Sequence, residues 1–141
     1  MSKKFIRIVA IVLMLTACFT TTAFASAQAS DYIDSYNTFL YSPGEGKVQV
    51  WFDVKGNATS DEVGVLTVIL RSSTDKEHWT TEKTYRYYDY DNMLAYNTMK
   101  HISYVEYSGE TGLYYQAQVT VWVGDDGDGD SRIIMTPILK I

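Results

Sequence analysis

The chain has 141 residues, with 12 Lys and Arg against 17 Asp and Glu for a net charge of −5, and it carries one cysteine. That length fits one domain, a lone cysteine excludes both a disulfide framework and the clustered Cys and His of a zinc site, and the acidic balance argues against nucleic acid as a partner. What stands out instead is aromatic content, 12 Tyr and 3 Trp in a small chain.

Lys3, Lys4 and Arg7 precede an apolar run from Ile8 to Phe19, and small-x-small triplets follow through Ala29. Residues 1–29 are therefore expected to be a secretory signal peptide, cleaved after Ala25, Ala27 or Ala29, with residues 30–141 as the single mature domain. Within the same stretch, Leu15-Thr16-Ala17-Cys18 resembles the lipobox of bacterial lipoproteins, which would place a lipid on Cys18; this is the minority reading against secretion into the extracellular space. Without residues 1–29, nine Lys and Arg face 17 Asp and Glu, a net charge of −8. Such a domain repels anionic headgroups, so no direct contact with a membrane surface is expected unless Cys18 is lipidated.

In the mature part, Asp31 to Tyr41 reads as a strand and Ser42 to Gly46 as a turn. Lys47 to Lys55 alternates cleanly, with Val48, Val50, Phe52 and Val54 inward and Gln49, Trp51, Asp53 and Lys55 outward. Gly56 to Asp61 reads as a polar loop, and Val63 to Arg71, almost continuously apolar, as a separate strand, either central and covered on both faces or with a long buried stretch. His78 to Tyr87 has the pattern of a largely exposed strand, Tyr88 to Asn97 that of a long loop with one helical turn, and Met99 to Tyr107 that of another strand.

The strongest signal is the last hairpin. Leu113, Tyr115, Ala117, Val119, Val121 and Val123 share one face, Tyr114, Gln116, Gln118, Thr120 and Trp122 the other, and Asp125 to Asp130 forms an acidic turn before Arg132 to Ile141. Pro137 cannot donate to a ladder and marks that final arm as an edge strand or a bulged one. About seven strand-like segments and no helical period give an all-β chain, expected to be an antiparallel β-sandwich of immunoglobulin-like layout.

Gly112-Leu113-Tyr114-Tyr115-Gln116-Ala117-Gln118-Val119 resembles the penultimate strand of immunoglobulin-like and fibronectin type III-like domains. The resemblance implies that Tyr115 hydrogen-bonds back to the corner where its strand begins, while Ala117 enters the core. It implies nothing about activity, since such sandwiches host unrelated functions. The chain also resembles the small exported β-rich proteins of Gram-positive bacteria to which no function is assigned, and no site is carried over from them.

Catalytic machinery is hard to assemble from these residues. His78 and His101 are the available histidines and neither lies in a recognisable motif, while paired carboxylates arise by chance in an acidic chain. The domain is accordingly expected to be no enzyme but a secreted or envelope-associated binding module for a glycan or a protein, with Trp51, Tyr114 and Trp122 as partner-binding candidates because alternation turns them outward. The rival roles are a structural or assembly protein acting through an unpaired edge strand, and a small secreted hydrolase. No cofactor is expected apart from a weak Ca²⁺ at Asp126, Asp128 and Asp130, three carboxylates at alternate positions. The fit to an EF-hand loop fails where Ser131 replaces the turn glycine and Pro137 the bidentate Glu, and the same residues serve equally as hairpin-turn residues.

Overall fold

A computed structural model describes residues 30–141. The expected signal peptide, its three cleavage positions and Cys18 lie outside the described residues. Seven antiparallel strands make one hydrogen-bonded sheet: β1 (Ile33–Gly44), β2 (Lys47–Ser73), β3 (Thr80–Arg86), β4 (Leu94–Ser108), β5 (Tyr114–Asp125), β6 (Asp128–Met135) and β7 (Leu139–Lys140). No helix occurs among the described residues, so the helical turn expected between Tyr88 and Asn97 is absent; β4 already begins at Leu94.

The main correction concerns Gly56 to Asp61. These residues do not form a loop but continue β2, which runs unbroken for 27 residues from Lys47 to Ser73. Hydrogen bonds hold this stretch extended: Asn57 N–H donates to Tyr32 O at 2.8 Å, and Ser60 pairs with Thr98 of β4. The first half of β2 lies between β1 and β4, and its second half between β5 and β3. The two expected strands are thus one, and the sheet curls on itself through it.

Two irregularities explain the inward pattern of β2. Val48, Val50, Phe52 and Val54 are buried, then Val63 and Val65, then Val68 and Leu70, so the buried positions switch parity twice. The pairing with β4 jumps between Lys55 and Ser60, and the pairing with β5 jumps between Val65 and Thr67. Relative to the facing strand, β2 carries a surplus of three residues at the first irregularity and of one at the second, and each odd surplus exchanges the two faces of the strand. Leu66 is the extra residue at the second bulge, which is why Val63 to Arg71 shows no period.

Both halves of β2 contribute to one hydrophobic core, together with Tyr115, Ala117, Val119, Val121 and Val123 of β5, all buried as the alternation requires. Tyr85 of β3, buried, donates its hydroxyl to Glu106 O of β4 at 2.8 Å and so ties the two halves across the inside. Gly64 sits where the chain turns past Met93: its φ is +151°, and a Cβ there would lie 2.2 Å from Met93 O, a place only glycine can occupy.

The acidic hairpin is tighter than its six-residue turn motif suggests. Asp125 pairs with Asp128, leaving Asp126 and Gly127 as a two-residue turn with φ of 50° and 77°. Two positive φ values in succession define the turn whose twist matches antiparallel strands, and Asp-Gly is a favoured pair for it. β6 has β5 on one side only and is an edge strand, and it stops at Met135 ahead of Pro137.

Candidate functional site

The register of the first half of the sheet sets three aromatic residues in a row. Phe39 of β1 and Tyr104 of β4 each pair with Trp51 of β2, one from either side. Trp51 stacks on Tyr104 with ring centroids 4.7 Å apart and on Phe39 at 6.2 Å with planes 1° apart. Cross-strand aromatic pairs of this kind stabilise a sheet by about 0.5 to 1.5 kcal/mol each beyond their buried area. Phe39 and Tyr104 remain 40% and 38% exposed, while Trp51 between them is half-buried. Trp51 is turned outward as its alternation predicts, yet both of its ring faces are covered by neighbours, and the accessible ring surface belongs to Phe39 and Tyr104.

The same outward rows supply a rim of polar and apolar groups. On one side, Tyr41, Gln49 and Glu106 align, with Trp51 Nε1 donating to Gln49 Oε1 at 2.9 Å, Gln49 Nε2 to Glu106 Oε2 at 2.8 Å, and Lys47 Nζ bridging Glu106 at 3.0 Å. Hydrogen bonds from Gln49 and Lys47 hold the Glu106 carboxyl below its ordinary range. On the other side come exposed Ile102 and a shallow depression lined by Ser35, Tyr36, Asn37, Asp53 and Lys100. The Lys100 ammonium lies 3.3 Å from Asp53 and that of Lys55 3.1 Å from Asp34. This face thus offers aromatic surface at its centre with both donors and acceptors fixed around it.

Tyr114 and Trp122 lie elsewhere. Trp122 pairs with Gly64 in the second half of β2, and its Nε1 donates to Glu62 Oε2 at 2.9 Å. Its ring is laid over the hairpin glycines, so that a Cβ on Gly124 would meet it at 2.5 Å and one on Gly129 at 2.7 Å. Tyr114 begins β5 next to Lys140, with the Lys76 ammonium 4.7 Å and the Lys140 ammonium 5.1 Å from its ring centre. Trp51, Tyr114 and Trp122 are therefore not brought into one platform. Phe39 and Tyr104, which do join Trp51, carry no sequence signal beyond outward placement in their strands; only the pairing register reveals them.

The hairpin carboxylates are engaged with the start of the domain. Asp130 accepts from Ser30 Oγ and from Tyr32 N, and Asp128 Oδ2 accepts from the Tyr32 hydroxyl at 3.2 Å. The bond from Ser30, followed by that from the Tyr32 backbone, lowers the Asp130 carboxyl, and the Asp128 bond raises the Tyr32 hydroxyl. Asp126 N–H donates to Asp61, and Asp61 N–H to Asp125, closing the hairpin against β2. Among the described residues, the group whose metal-ligating atoms all lie within 4.8 Å of one another is Asp75, Glu77 and His78, not the hairpin aspartates.

Those three belong to the exposed turn between β2 and β3. Asp75 Oδ1 accepts from Glu77 N and His78 N, while its Oδ2 lies 2.6 Å from His78 Nδ1. The backbone bond from His78, then its ring, hold the Asp75 carboxyl far below the usual carboxylate range. His101 Nε2 lies 2.7 Å from Asn92 O, and its ring packs against Phe52 at 5.9 Å.

No family model matches the chain, and no curated protein sequence matches it. The chain is similar to the crystal structure of Spo0M, a sporulation control protein from Bacillus subtilis, at 15% identity and a TM-score of 0.40, over 72% of this chain and 47% of that one. It spans about half the length of that protein.

Proposed function

We propose that the domain is a non-enzymatic binding module, secreted or held at the cell envelope, whose partner is a glycan or a protein and whose docking surface is the outer face of β1, β2 and β4. The observation that supports this reading is the row Phe39, Trp51, Tyr104: Trp51 fixes the outer two rings in place, and these two keep accessible surface. Pre-fixed aromatic rings bind at low entropic cost, and they are over-represented among residues that dominate interface energetics. We read the two layers of the curled sheet as immunoglobulin-like in layout, a reading supported by the bond between Tyr115 and the corner of its strand.

The test uses residues 30–141 titrated with soluble oligosaccharides and, in parallel, screened against purified extracellular proteins. The Phe39→Ala/Tyr104→Ala double variant is expected to lose at least tenfold in affinity for whichever partner is found while keeping a cooperative melt. Unchanged affinity in that variant would remove the aromatic face from the reading.

A second reading rests on β6. Its free edge carries Ile133, 68% exposed, and Met135, 40% exposed, the features by which an edge strand adds to a neighbour's sheet. It predicts concentration-dependent oligomers in sedimentation, abolished by Ile133→Lys; a monomer at every concentration leaves the binding-module reading alone.

A further inference from the structure

We propose that Arg71, Lys76 and Lys140, gathered around the rings of Trp79 and Tyr114 where β2 ends and β5 begins, form a binding site for a single oxyanion group, a phosphate or carboxylate carried on an otherwise uncharged molecule. This site lies on the second half of the sheet and does not depend on the aromatic face of β1, β2 and β4.

The register brings the parts together. Arg71 pairs with Gln116, Ser73 with Tyr114, and Tyr114 with Lys140, so the end of β2, the start of β5 and β7 lie side by side. Two ammonium groups converge on the Tyr114 ring at 4.7 and 5.1 Å from its centre, which puts them no more than about 10 Å apart. Next to them, the Arg71 guanidinium lies 4.8 Å over Trp79 and donates through Nη2 to Gln116 Oε1 at 2.6 Å, while its Nε is buried without an acceptor.

None of these three cations forms an ion pair with a carboxylate among the described residues. Lys47, Lys55 and Lys100, by contrast, are each paired with a carboxylate within 3.3 Å, on the other half of the sheet. The acids nearest in sequence do not serve Lys76: the Asp75 carboxylate is committed to His78 and the backbone of its own turn, and Glu77 makes no ion pair. In a domain with nine Lys and Arg against 17 Asp and Glu, three cations without an ion-paired acid lie at this end of the sheet. Aromatic rings hold the positive charges there in the absence of an acid, and a ligand oxyanion completes what the protein leaves open.

The turn that carries Lys76 is fixed in advance. Ser73 Oγ accepts from Asp75 N and Lys76 N, and Trp79 Nε1 donates to Lys76 O at 3.1 Å. The surrounding negative charge selects the size of the ligand. A polyanion extends into the negative charge of the rest of the domain, whereas one charged group on a neutral body meets the least of it.

The experiment is a titration of isotopically labelled residues 30–141 followed by amide NMR, with inorganic phosphate, acetate, and sodium chloride at matched ionic strength. Glucose 6-phosphate and glucuronate, each against glucose, separate phosphate from carboxylate recognition. Saturable shifts at Arg71, Lys76, Tyr114 and Lys140 are expected with phosphate or acetate and not with chloride. The Lys76→Asn/Lys140→Gln variant, in which Asn suits the positive φ of 66° at position 76, is expected to bind at least tenfold more weakly at an unchanged melting temperature. Shifts that chloride reproduces, or an unchanged affinity in the double variant, would overturn the proposal.

Discussion

The Tyr115 hydroxyl accepts a hydrogen bond from the Glu110 backbone N–H at 2.7 Å, five residues back along the chain. This is the bond expected from the sequence of the β5 strand, and it fastens the start of β5 to the turn that precedes it. Tyr115 is 1% exposed, so the phenol ring is part of the core and only its oxygen reaches the corner. Replacing Tyr115 with Phe keeps the packing and deletes the bond, at an expected cost of about 1 kcal/mol. Urea unfolding measures it; a loss above about 3 kcal/mol would mean that the ring itself is displaced.

Phe52 is fully buried in the core shared by the two halves of the sheet. Truncation to Ala leaves a cavity that β strands on both sides are poorly placed to fill, and is expected to cost about 3 to 5 kcal/mol. A measured value below about 1 kcal/mol would contradict the burial of this residue.

The Asp75 carboxyl is held far below the usual range by the His78 backbone N–H, the His78 ring, and the Glu77 and Ser73 donors. A depressed carboxylate stabilises the fold above its unfolded value of about 3.9 and loses that contribution as the pH falls through its folded value. Asp75→Asn is therefore expected to melt below the parent at pH 7, with the gap closing as the pH is lowered toward 2. A gap that stays constant with pH would assign the loss to packing of the turn and not to charge.

Burial pushes the Tyr85 hydroxyl up to about 12. Stability tied to its neutral form is complete below about pH 10, where unfolded tyrosine ionises, and is lost as the pH rises toward 12. Tyr107, raised by burial and by its bond to Glu82, adds in the same direction. Tyr85→Phe should reduce the alkaline loss without abolishing it, and should cost about 1 kcal/mol at neutral pH because Glu106 O loses its donor. Melts at pH 8, 10 and 11 decide this: an alkaline loss identical to that of the parent excludes Tyr85 as its source.

Alternation was legible wherever a strand keeps its register. Val48 to Val54 and Tyr115 to Val123 are buried on the faces that their period of two assigns. Where β2 bulges, the period fails, and a continuous strand reads as two with a loop between them. The hairpin lost four of its six supposed turn residues to pairing for a related reason, since Asp and Gly carry turn signals even when they sit in a ladder. The aromatic row was illegible because it depends on which residue of β1 and of β4 faces Trp51, a property of pairing between distant segments and not of any one of them. Tyr114 could be picked out as outward; the two ammonium groups that hold its ring come from a turn and from the final strand.

The length of β2 also has a kinetic consequence. β1, β3, β4 and β5 all take β2 as a hydrogen-bonding neighbour, and β6 and β7 depend on β5. The β1–β2, β2–β3 and β5–β6 hairpins can each close early from nearby residues, but the second half of β2 must wait for β5, which is made about forty residues later, before both of its edges are satisfied. Contacts so distant in sequence slow folding, and in the interval a long apolar strand lies open to pairing with other chains. Refolding yield is therefore expected to fall with protein concentration well before equilibrium stability does, and charged substitutions at outward positions of β2 are the changes that should raise it.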